Sequence, residues 1–340
     1  MKILVTGSAG FVAGYVVEKL LQEGHSVIGI DNFSKYGKTS KNYDTNPNYI
    51  FVNGDAKNVN LLKQLIVDCD HFICLAGQIG GIVYFAKYAY DLFNENEKIM
   101  SSAMDAAIWA HKKAKLKKIT LASSSVVYGS TTSFPSKEGD EYIMPPPESN
   151  YGFQKLAVHY WAKGGWDQYG LPYTLILPFN TIGLGETRAN CDDLILSGNI
   201  QLCMGHVVPD LIHKALKKQT PFHILGSGDQ LRHYTDGRDI ADGFYLSLEN
   251  QGATNQSFNI SSPNAHTVYD LATMIWRKIN GNAKLYFEHD YSFEKYDIKK
   301  RLPSVDKAKE ILGFEAKISL SDSLDLIIPW VKQMIELGKI

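Results

Sequence analysis

Residues 1–13 read MKILVTGSAGFVA, an apolar run followed by a loop that contains Gly7 and Gly10. The apolar run predicts a buried strand, and a helical pattern begins directly after the loop. A glycine loop between a strand and a helix presents backbone N–H groups and a positive helix end to a pyrophosphate. This segment therefore predicts an α/β fold that binds a dinucleotide.

The first half of the chain continues this alternation of short apolar runs and helical patterns. Strands are predicted at Lys2–Thr6, Ser26–Ile30, Tyr49–Asn53, His71–Leu75, Lys118–Ala122 and Tyr173–Leu177. Helices are predicted at Val12–Gln22, Asn60–Val67, Tyr90–His111 and Asn150–Tyr169. Such alternation is typical of a parallel sheet with helices on both faces. We therefore predict a Rossmann-type, doubly wound α/β domain.

After Asn180 this alternation ends, and the segment that follows is irregular and polar. We predict that the Rossmann domain comprises residues 1–180 and that residues 206–249 return to it in part. A smaller substrate-binding lobe is predicted from residues 181–205 and 250–340. We expect this lobe to lie over the carboxyl ends of the strands, where ligands of such folds bind.

The composition indicates which binding partners and which cellular compartment to expect. The net charge of −1 and the absence of a basic run predict neither a nucleic-acid nor a membrane partner. No apolar stretch reaches the roughly 18 to 20 residues that span a bilayer, and the first residues resemble a strand rather than a signal peptide. We therefore expect a cytoplasmic protein. No metal site is predicted, because zinc-ligand spacing is absent from the four cysteines, which are expected to be free thiols: Cys69, Cys74, Cys191 and Cys203.

A tyrosine and a lysine four residues apart, Tyr151 and Lys155, form the most informative catalytic pattern. The spacing occurs four times, and the other three pairs are Tyr15/Lys19, Tyr291/Lys295 and Tyr296/Lys300. Only Tyr151 follows a serine run, 27 residues after Ser124. A helix would bring Lys155 near the phenol and lower its pKa from about 10, and Ser124 could share the substrate proton. The predicted catalytic residues are Ser124, Tyr151 and Lys155.

Two aspartates after predicted strands indicate the cofactor. Asp31 follows the second strand, 24 residues after Gly7, where a carboxylate can accept hydrogen bonds from ribose hydroxyls and repel a 2′-phosphate. This position favours NAD over NADP. Asp55, in the run Gly54-Asp55-Ala56 after the third strand, is predicted to meet the adenine edge.

These motifs together resemble the extended short-chain dehydrogenase/reductases, in the superfamily of nucleotide-sugar epimerases and dehydratases. The resemblance covers almost the whole chain. Further matching motifs are Leu75-Ala-Gly77, Phe93-x-x-Asn96, Ser124-Ser-Val-Val-Tyr128-Gly129, Pro178-Phe-Asn180, Val208-Pro209, Gly226-Ser-Gly-Asp-Gln-Leu-Arg232, Asp239-Ile-Ala-Asp-Gly243 and Arg301-Leu-Pro-Ser-Val-Asp306. The resemblance implies an NAD-dependent enzyme that acts on a nucleotide-diphosphate sugar. It also implies a homodimer formed through the helices Tyr90–His111 and Asn150–Tyr169.

The resemblance also implies the residues that contact each ligand. The expected cofactor contacts are Gly7, Ala9, Gly10, Phe11, Val12, Asp31, Asn32, Asp55, Ala56, Leu75, Ala76, Gly77, Asn96, Tyr151 and Lys155. The expected substrate contacts are Gly81, Ser125, Asn180, His206, Val207, Arg232 and Arg301. The two arginines suit the diphosphate, because a guanidinium binds phosphate through a bidentate fork.

Departures from the resemblance narrow the reaction. Dehydratases of this superfamily carry an Asp-Glu pair directly after the catalytic hydroxyl residue, where this chain has Ser125 and Val126. Similar nucleotide-sugar decarboxylases keep an acid at the position of Val126. The sequence therefore argues against a 4,6-dehydratase and against a decarboxylase. Ala13 replaces the third loop glycine and Gly77 replaces a usual alanine, and neither change is expected to abolish cofactor binding.

A second likeness concerns the sugar-nucleotide. The runs Gly80-Gly-Ile82 and Gly205-His-Val-Val-Pro209 resemble the branch of GDP-fucose synthase and GDP-mannose 3,5-epimerase. In GDP-fucose synthases the histidine that matches His206 is an acid that works with a cysteine, and Val126 occupies that cysteine position. We expect His206 to contact the phosphate or the sugar, or else to be an exposed histidine at a helix end. Asp31 also argues against the NADPH that fucose synthase consumes.

The shared first step is oxidation of the sugar at C4, and its outcome separates the hypotheses. If the ketone turns and is reduced on its other face, the enzyme is a 4-epimerase; if it leaves, the enzyme is a 4-dehydrogenase. A GDP-fucose-synthase-like 4-keto-sugar reductase and a non-catalytic NAD-binding scaffold are the alternatives. The sugar pocket is expected to be shaped by residues 183–205, which include Glu186, Arg188, Asn190 and Asp192.

Overall fold

The computed structural model describes residues 1–81, 85, 87–187, 206–292 and 297–340. In these residues the largest element is a seven-stranded parallel sheet with helices on both faces. This architecture confirms the predicted doubly wound α/β class. Cys69 and Cys74 are buried free thiols, as predicted.

Several sequence predictions lie outside the described residues. They concern Cys191 and Cys203, the pocket residues Arg188, Asn190 and Asp192, and the pairs that involve Lys295 and Tyr296. Within the described ranges, no helix is long and apolar enough to cross a membrane.

The six predicted strands are confirmed to within one residue at each end, and seven further strands are present in the described residues. In chain order they are β1 (Lys2–Thr6), β2 (Ser26–Asp31), β3 (Tyr49–Asn53), β4 (His71–Cys74), β5 (Lys118–Ala122), β6 (Tyr173–Pro178), β7 (Thr181–Ile182), β8 (Phe222–Leu225), β9 (Leu231–Arg232), β10 (Thr235–Asp236), β11 (Gln256–Ile260), β12 (His266–Thr267) and β13 (Phe287–Asp290). The large sheet has the order β11-β6-β5-β4-β1-β2-β3, and all its pairs are parallel. Its carboxyl ends therefore share one edge.

Eight α-helices lie in the described part of the chain. In chain order they are α1 (Phe11–Gln22), α2 (Val59–Ile66), α3 (Ala89–Lys113), α4 (Asn150–Tyr169), α5 (Val207–Leu216), α6 (Gly237–Glu249), α7 (Val268–Asn280) and α8 (Leu320–Glu336). The Ser149 hydroxyl accepts the N–H of Gly152 at the start of α4, and Gly170, in the left-handed conformation at φ 68°, ends it. Because Tyr151 and Lys155 lie on α4, these caps fix the position of both residues along the helix.

Apolar side chains form one layer on each face of the sheet. On one face, Phe72 and Leu121 pack with Met104 of α3 and Leu156 of α4. On the other face, Ile3, Val5 and Phe258 belong to the layer that α1 and α6 cover. Burial on both faces stabilises the strands by roughly 25 cal/mol per Å² of apolar surface. It also holds the carboxyl edge of the sheet rigid beneath the site.

The second lobe has its own apolar cluster, to which α5, α7, α8 and β8 contribute. Leu211, Phe222, Ile275 and Leu324 are fully buried in it or nearly so. Three short strand pairs lie outside the large sheet: β7 pairs with β10, β8 with β13 and β9 with β12. Val208 and Leu211 of this cluster line a cleft together with residues at the carboxyl ends of the large sheet.

One strand of the large sheet comes from the segment that the sequence analysis assigned to the second lobe. β11 pairs with β6 and extends the sheet by one strand. Its fourth residue, Asn259, is fully buried and hydrogen-bonded to the Tyr128 hydroxyl at 3.0 Å and to the carbonyl oxygen of Ser136 at 3.2 Å. A buried polar residue inside a five-residue strand obscured the apolar pattern. The helix α6, by contrast, packs on α1, where residues 206–249 were expected to return.

Candidate active site

The carboxyl edge of the sheet opens into a cleft of about 650 Å³ that the second lobe covers. Nearly every residue that the sequence analysis assigned to catalysis, cofactor or substrate lines this cleft. The exceptions are Ala9 and Asn96. The structure thus brings together side chains that lie up to almost 300 positions apart, from Gly7 to Arg301.

The glycine loop between β1 and α1 forms one end of the cleft. Gly7 has φ 74°, and a Cβ atom there would lie 2.8 Å from the backbone of Ala76. At Gly10 a Cβ atom would lie 2.9 Å from the carbonyl oxygen of Gly7. Only glycine fits both positions, and the result is a side-chain-free surface at the start of α1. This surface fits the pyrophosphate of a dinucleotide.

Asp31 lies at the end of β2, beside the glycine loop. Its carboxylate accepts the backbone N–H groups of Ala9 at 3.1 Å and Phe33 at 2.7 Å. Burial raises the pKa of Asp31, and these two hydrogen bonds oppose the shift. The contacts leave a fixed carboxylate in the cleft wall, which suits ribose hydroxyls.

Ala9 and Asn96 act on the cofactor side without lining the cleft. Ala9 orients Asp31 through its backbone N–H. The Asn96 amide accepts the N–H of Gln78 at 2.7 Å and donates to its carbonyl oxygen at 2.9 Å. Asn96 therefore holds the loop after β4, and its amide is occupied rather than available to the cofactor.

The loop between β2 and β3 folds back over the glycine loop, which the sequence analysis missed. The Tyr43 hydroxyl donates to the carbonyl oxygen of Ser8 at 3.1 Å, and Lys41 Nζ donates to that of Gly10 at 3.3 Å. From the other side, the N–H of Leu184 donates to the Tyr15 hydroxyl at 2.6 Å. Two separate segments thus contact the glycine loop and the start of α1, and we call these contacts the clasp. Loops without periodicity gave no signal for this contact.

The end of β5 meets one face of α4 at the centre of the cleft. Lys155 Nζ donates to the carbonyl oxygen of Ala122 at 3.0 Å and lies 5.8 Å from the centroid of the Tyr151 ring. The Ser124 hydroxyl hydrogen-bonds the Tyr151 phenol. The three predicted catalytic side chains are therefore neighbours, with Ser124 at a strand end and the other two on one helix face.

Burial dominates the ionisation of these groups. It raises the pKa of Tyr151 above its ordinary value, while the hydrogen bond of Ser124 and the charge of Arg301 oppose the shift. Burial also lowers the pKa of Lys155 to about 8. The sequence analysis expected Lys155 to lower the pKa of Tyr151. In the structure Arg301, 150 residues further along the chain, is the cation that acts on the phenol.

Apolar side chains surround the Tyr151 ring. Phe85 stacks on it with ring centroids 4.6 Å apart and an interplanar angle of 14°. Leu92 and Val126 pack in the same cluster, and Ile298 of the second lobe borders it. Val126 occupies the position of the acid that dehydratases and decarboxylases carry. Instead of presenting an acid, it helps to bury the phenol.

Two arginines and one aspartate line the second-lobe side of the cleft. Arg232 Nη2 lies 2.8 Å from Asp297 Oδ1, and Arg232 is only 8% exposed. Burial and the neighbouring charge of Arg232 lower the pKa of Arg301, whose buried Nε atom has no hydrogen-bond partner in the described part of the chain. The oxygen of the Asn180 amide is likewise buried without a partner. Two guanidinium groups beside one carboxylate favour an anion such as a diphosphate.

His206 caps the start of α5 and lies in the cleft. Its Nδ1 atom hydrogen-bonds Glu186 Oε1, and Glu186 is 6% exposed. Burial lowers the pKa of Lys35 to about 8, and the charge of Glu186 opposes this shift. Neither Glu186 as the partner of His206 nor Lys35 was predicted individually. The contact joins the start of α5 to the segment that follows β7.

Several known proteins are similar to this chain over most of its length. A model of the NAD dependent epimerase/dehydratase family matches residues 3–261. UDP-glucuronic acid decarboxylase 4 of Arabidopsis thaliana is 26% identical over 344 residues, which cover 98% of this chain and 69% of that protein. Two solved structures are each 25% identical and cover 98% of this chain and all of theirs. They are UDP-glucose 4-epimerase of Thermotoga maritima with UDP-glucose (TM-score 0.80) and UDP-glucuronic acid 4-epimerase of Bacillus cereus with UDP-glucuronic acid and NAD (TM-score 0.81).

Asp31 gives a first test of the cofactor site. We expect Asp31→Ser to weaken NAD binding and to narrow the preference for NAD over NADP, because the carboxylate that meets the ribose is lost. Fluorescence titration with both dinucleotides measures the two affinities. The exposed Asp68→Asn removes the same charge elsewhere in the domain and serves as the control. An unchanged NAD-to-NADP ratio in Asp31→Ser would remove Asp31 from cofactor selection.

Proposed function

The chain belongs to the NAD dependent epimerase/dehydratase family, and from this membership we propose that it is a nucleotide-sugar 4-epimerase. Family membership confirms the predicted enzyme class and the NAD cofactor. The observation that carries the proposal is the meeting of Ser124, Tyr151 and Lys155 beside the glycine loop. The substrate is a UDP- or GDP-linked sugar whose C4 hydroxyl reaches Tyr151.

The reaction begins with removal of the C4 hydroxyl proton by the Tyr151 phenolate. Ser124, already hydrogen-bonded to the phenol, holds the sugar oxygen at the same point. NAD would be held along the cleft lined by Gly7, Asp31 and Lys155, and it would supply the hydride acceptor and donor for C4. The charge of Arg301 favours the phenolate against the burial of the ring. When the ketone presents its other face, Tyr151 gives the proton back and the inverted alcohol forms.

The clasp over the glycine loop supports an epimerase rather than a dehydrogenase. An epimerase uses its cofactor again in each cycle, whereas a dehydrogenase must exchange it. Lys41 and Tyr43 hold the loop from one side, and the segment that contains Leu184 and Glu186 covers it from the other. Release of a dinucleotide would require these contacts to open. Retained NAD is therefore the state that this arrangement favours.

The residues after Ser124 argue against the reactions of the decarboxylase relatives. Ser125 and Val126 are both buried, and Val126 packs against Tyr151. Neither of the two positions directly after Ser124 therefore carries a carboxylic acid. Among the described residues, the site has the groups for oxidation and reduction at C4, and these two positions supply no acid for elimination.

The arginine pair supports a nucleoside diphosphate as the carrier of the sugar. Arg232 is neutralised by Asp297, whereas Arg301 keeps a buried donor atom that is free to bind an oxygen. A diphosphate would supply that oxygen and balance the excess positive charge. The sugar would then extend from the arginines towards Tyr151, which Arg301 already approaches.

We also propose a homodimer through α3 and α4. Five aromatic residues of α4 have exposed side chains: Phe153, Tyr160, Trp161, Trp166 and Tyr169. Tyr90 on α3 is 65% exposed, and Phe93 stacks on Phe153 between the two helices. A cluster of exposed large aromatics on a soluble surface is typical of a protein interface.

Turnover by the wild-type protein and by Tyr151→Phe tests the proposed reaction. The purified protein is incubated with UDP-, GDP- and dTDP-sugars without added NAD, and product mass is followed with absorbance at the NADH band. We expect a product of unchanged mass and inverted C4. We expect Tyr151→Phe to lose roughly 10²- to 10⁴-fold in rate, the typical contribution of a general base, and to keep its NAD.

The control for this experiment is Tyr160→Phe, a change on the same helix at an exposed ring. It should retain wild-type turnover. Loss of two hydrogens with accumulating NADH would mean a 4-dehydrogenase, and loss of carbon dioxide would mean a decarboxylase. Unchanged turnover in Tyr151→Phe would remove Tyr151 as the base.

The dimer is tested by placing a charge in the aromatic face. We expect Tyr160→Glu to sediment as a folded monomer in analytical ultracentrifugation, because an unpaired carboxylate would be buried at the interface. Tyr286→Glu, at a ring of similar exposure in the other lobe, should remain a dimer. A monomeric wild-type protein, or a dimeric Tyr160→Glu, would contradict the proposed interface.

A further inference from the structure

Beneath the catalytic residues, three polar side chains form a buried chain of contacts. The Ser123 hydroxyl lies 2.7 Å from Nε2 of His159, within hydrogen-bond distance. On the other side of the ring, His159 Nδ1 lies 3.2 Å from Glu141 Oε1 and 3.3 Å from the Tyr142 hydroxyl. The second carboxylate oxygen of Glu141 accepts the N–H of Gly139 at 2.7 Å. The catalytic reaction proposed above does not use these groups.

The burial of this chain is nearly complete. His159 is fully buried, Glu141 is 2% exposed and Ser123 is 4% exposed. A carboxylate and an imidazole removed from water cost free energy that an apolar core would not. Such a costly arrangement calls for an explanation other than stability, because a leucine could fill the space of the imidazole without this cost.

The position of Ser123 suggests what the chain does. Three successive residues at the end of β5 contact residues of α4 that lie one helical turn apart. The carbonyl oxygen of Ala122 accepts a hydrogen bond from Lys155 Nζ, and Ser124 hydrogen-bonds Tyr151. Between them, the Ser123 hydroxyl donates to the carbonyl oxygen of Lys155 at 3.3 Å and contacts His159, four residues further along the helix.

We propose that Ser123, His159 and Glu141 are positioning residues that set the register between β5 and α4. This inference rests on the proposed function, because the register fixes the distance from Ser124 to Tyr151 and Lys155. The Tyr142 hydroxyl hydrogen-bonds Nδ1 of the imidazole, and Glu141 Oε1 lies beside the same atom without a hydrogen bond. Through Nε2 the imidazole holds the Ser123 hydroxyl against the backbone of Lys155. An apolar side chain at position 159 would fill the space without fixing the register.

Variants at position 159 distinguish a side chain that sets the register between β5 and α4 from one that only fills the space. In His159→Gln the side-chain amide reaches the place of Nε2 and keeps the contact to Ser123, whereas the shorter Asn in His159→Asn reaches only the place of Nδ1. His159→Leu keeps neither contact. Ser123→Ala removes the hydroxyl itself. We expect His159→Leu, His159→Asn and Ser123→Ala to lower kcat by roughly 10- to 100-fold, the cost of a small misplacement of reacting groups. KM should change by about twofold or less, because the arginines that bind the diphosphate are untouched.

The matched control is His71→Leu. His71 is 2% exposed and bonds one hydroxyl, that of Thr120, at 2.8 Å inside the sheet. Its replacement removes a buried histidine contact of the same kind without touching α4. We expect a lower thermal midpoint in both leucine variants, and a lower kcat in His159→Leu alone. His159→Gln should recover most of the lost kcat.

Two results would overturn the proposal. One is an equal kcat in His159→Leu and His71→Leu, and the other is a His159→Gln that is no faster than His159→Asn. If one leucine variant fails to fold, the comparison of Gln with Asn and the Ser123→Ala variant still decide.

A measurement without substrate separates this proposal from the proposed function. Amide hydrogen exchange of residues 150–156, read by mass spectrometry, reports how firmly the start of α4 is held. Faster exchange in His159→Asn than in His159→Gln supports positioning even if the wild-type protein turns over no sugar. Equal exchange and equal kcat in the two variants would refute it while leaving the 4-epimerase proposal intact.

Discussion

The contact between the end of β5 and one face of α4 is the constraint on which the site depends. A strand end and a helix face are rigid, and each supplies part of the catalytic set: Ser124 from the strand, Tyr151 and Lys155 from the helix. Because the core on both sides of the sheet is close-packed, neither element can shift alone. The rest of the molecule can be understood as support for this contact or as ligand binding around it.

Electrostatics in the cleft follows from the same burial. Removal of water raises the pKa of Tyr151 and lowers that of Lys155, so neither group is set for proton transfer by the i,i+4 spacing alone. The charge that favours the phenolate comes from Arg301, a residue that also faces the predicted diphosphate site. Substrate binding and the ionisation of the base are thereby linked through one guanidinium. A substrate phosphate that pairs with Arg301 would weaken its effect on the phenol, whereas bound NAD adds a positive charge.

The sequence predicted those features whose cause is local. A helix places residues four apart on one face, so Tyr151 and Lys155 could be paired from their numbers, and a glycine loop between strand and helix identified the cofactor end. Features that depend on distant packing gave no such signal. Arg301 reaches Tyr151, and Tyr43 reaches Ser8, only after the chain has folded. The strand β11 of the large sheet was not predicted, because its buried Asn259 forms hydrogen bonds with partners more than 100 residues earlier in the chain.

Hydride transfer at C4 of the sugar can be tested with deuterium at that carbon. The accepted nucleotide-sugar is prepared with deuterium at C4 and, separately, at C3 and C5, and turnover and label position are measured. If the hydride leaves and returns to C4, turnover is slower only with the C4 label, and the deuterium stays at C4 of the inverted product. Equal rates for all three labels, or loss of deuterium from C3 or C5 to water, would contradict it.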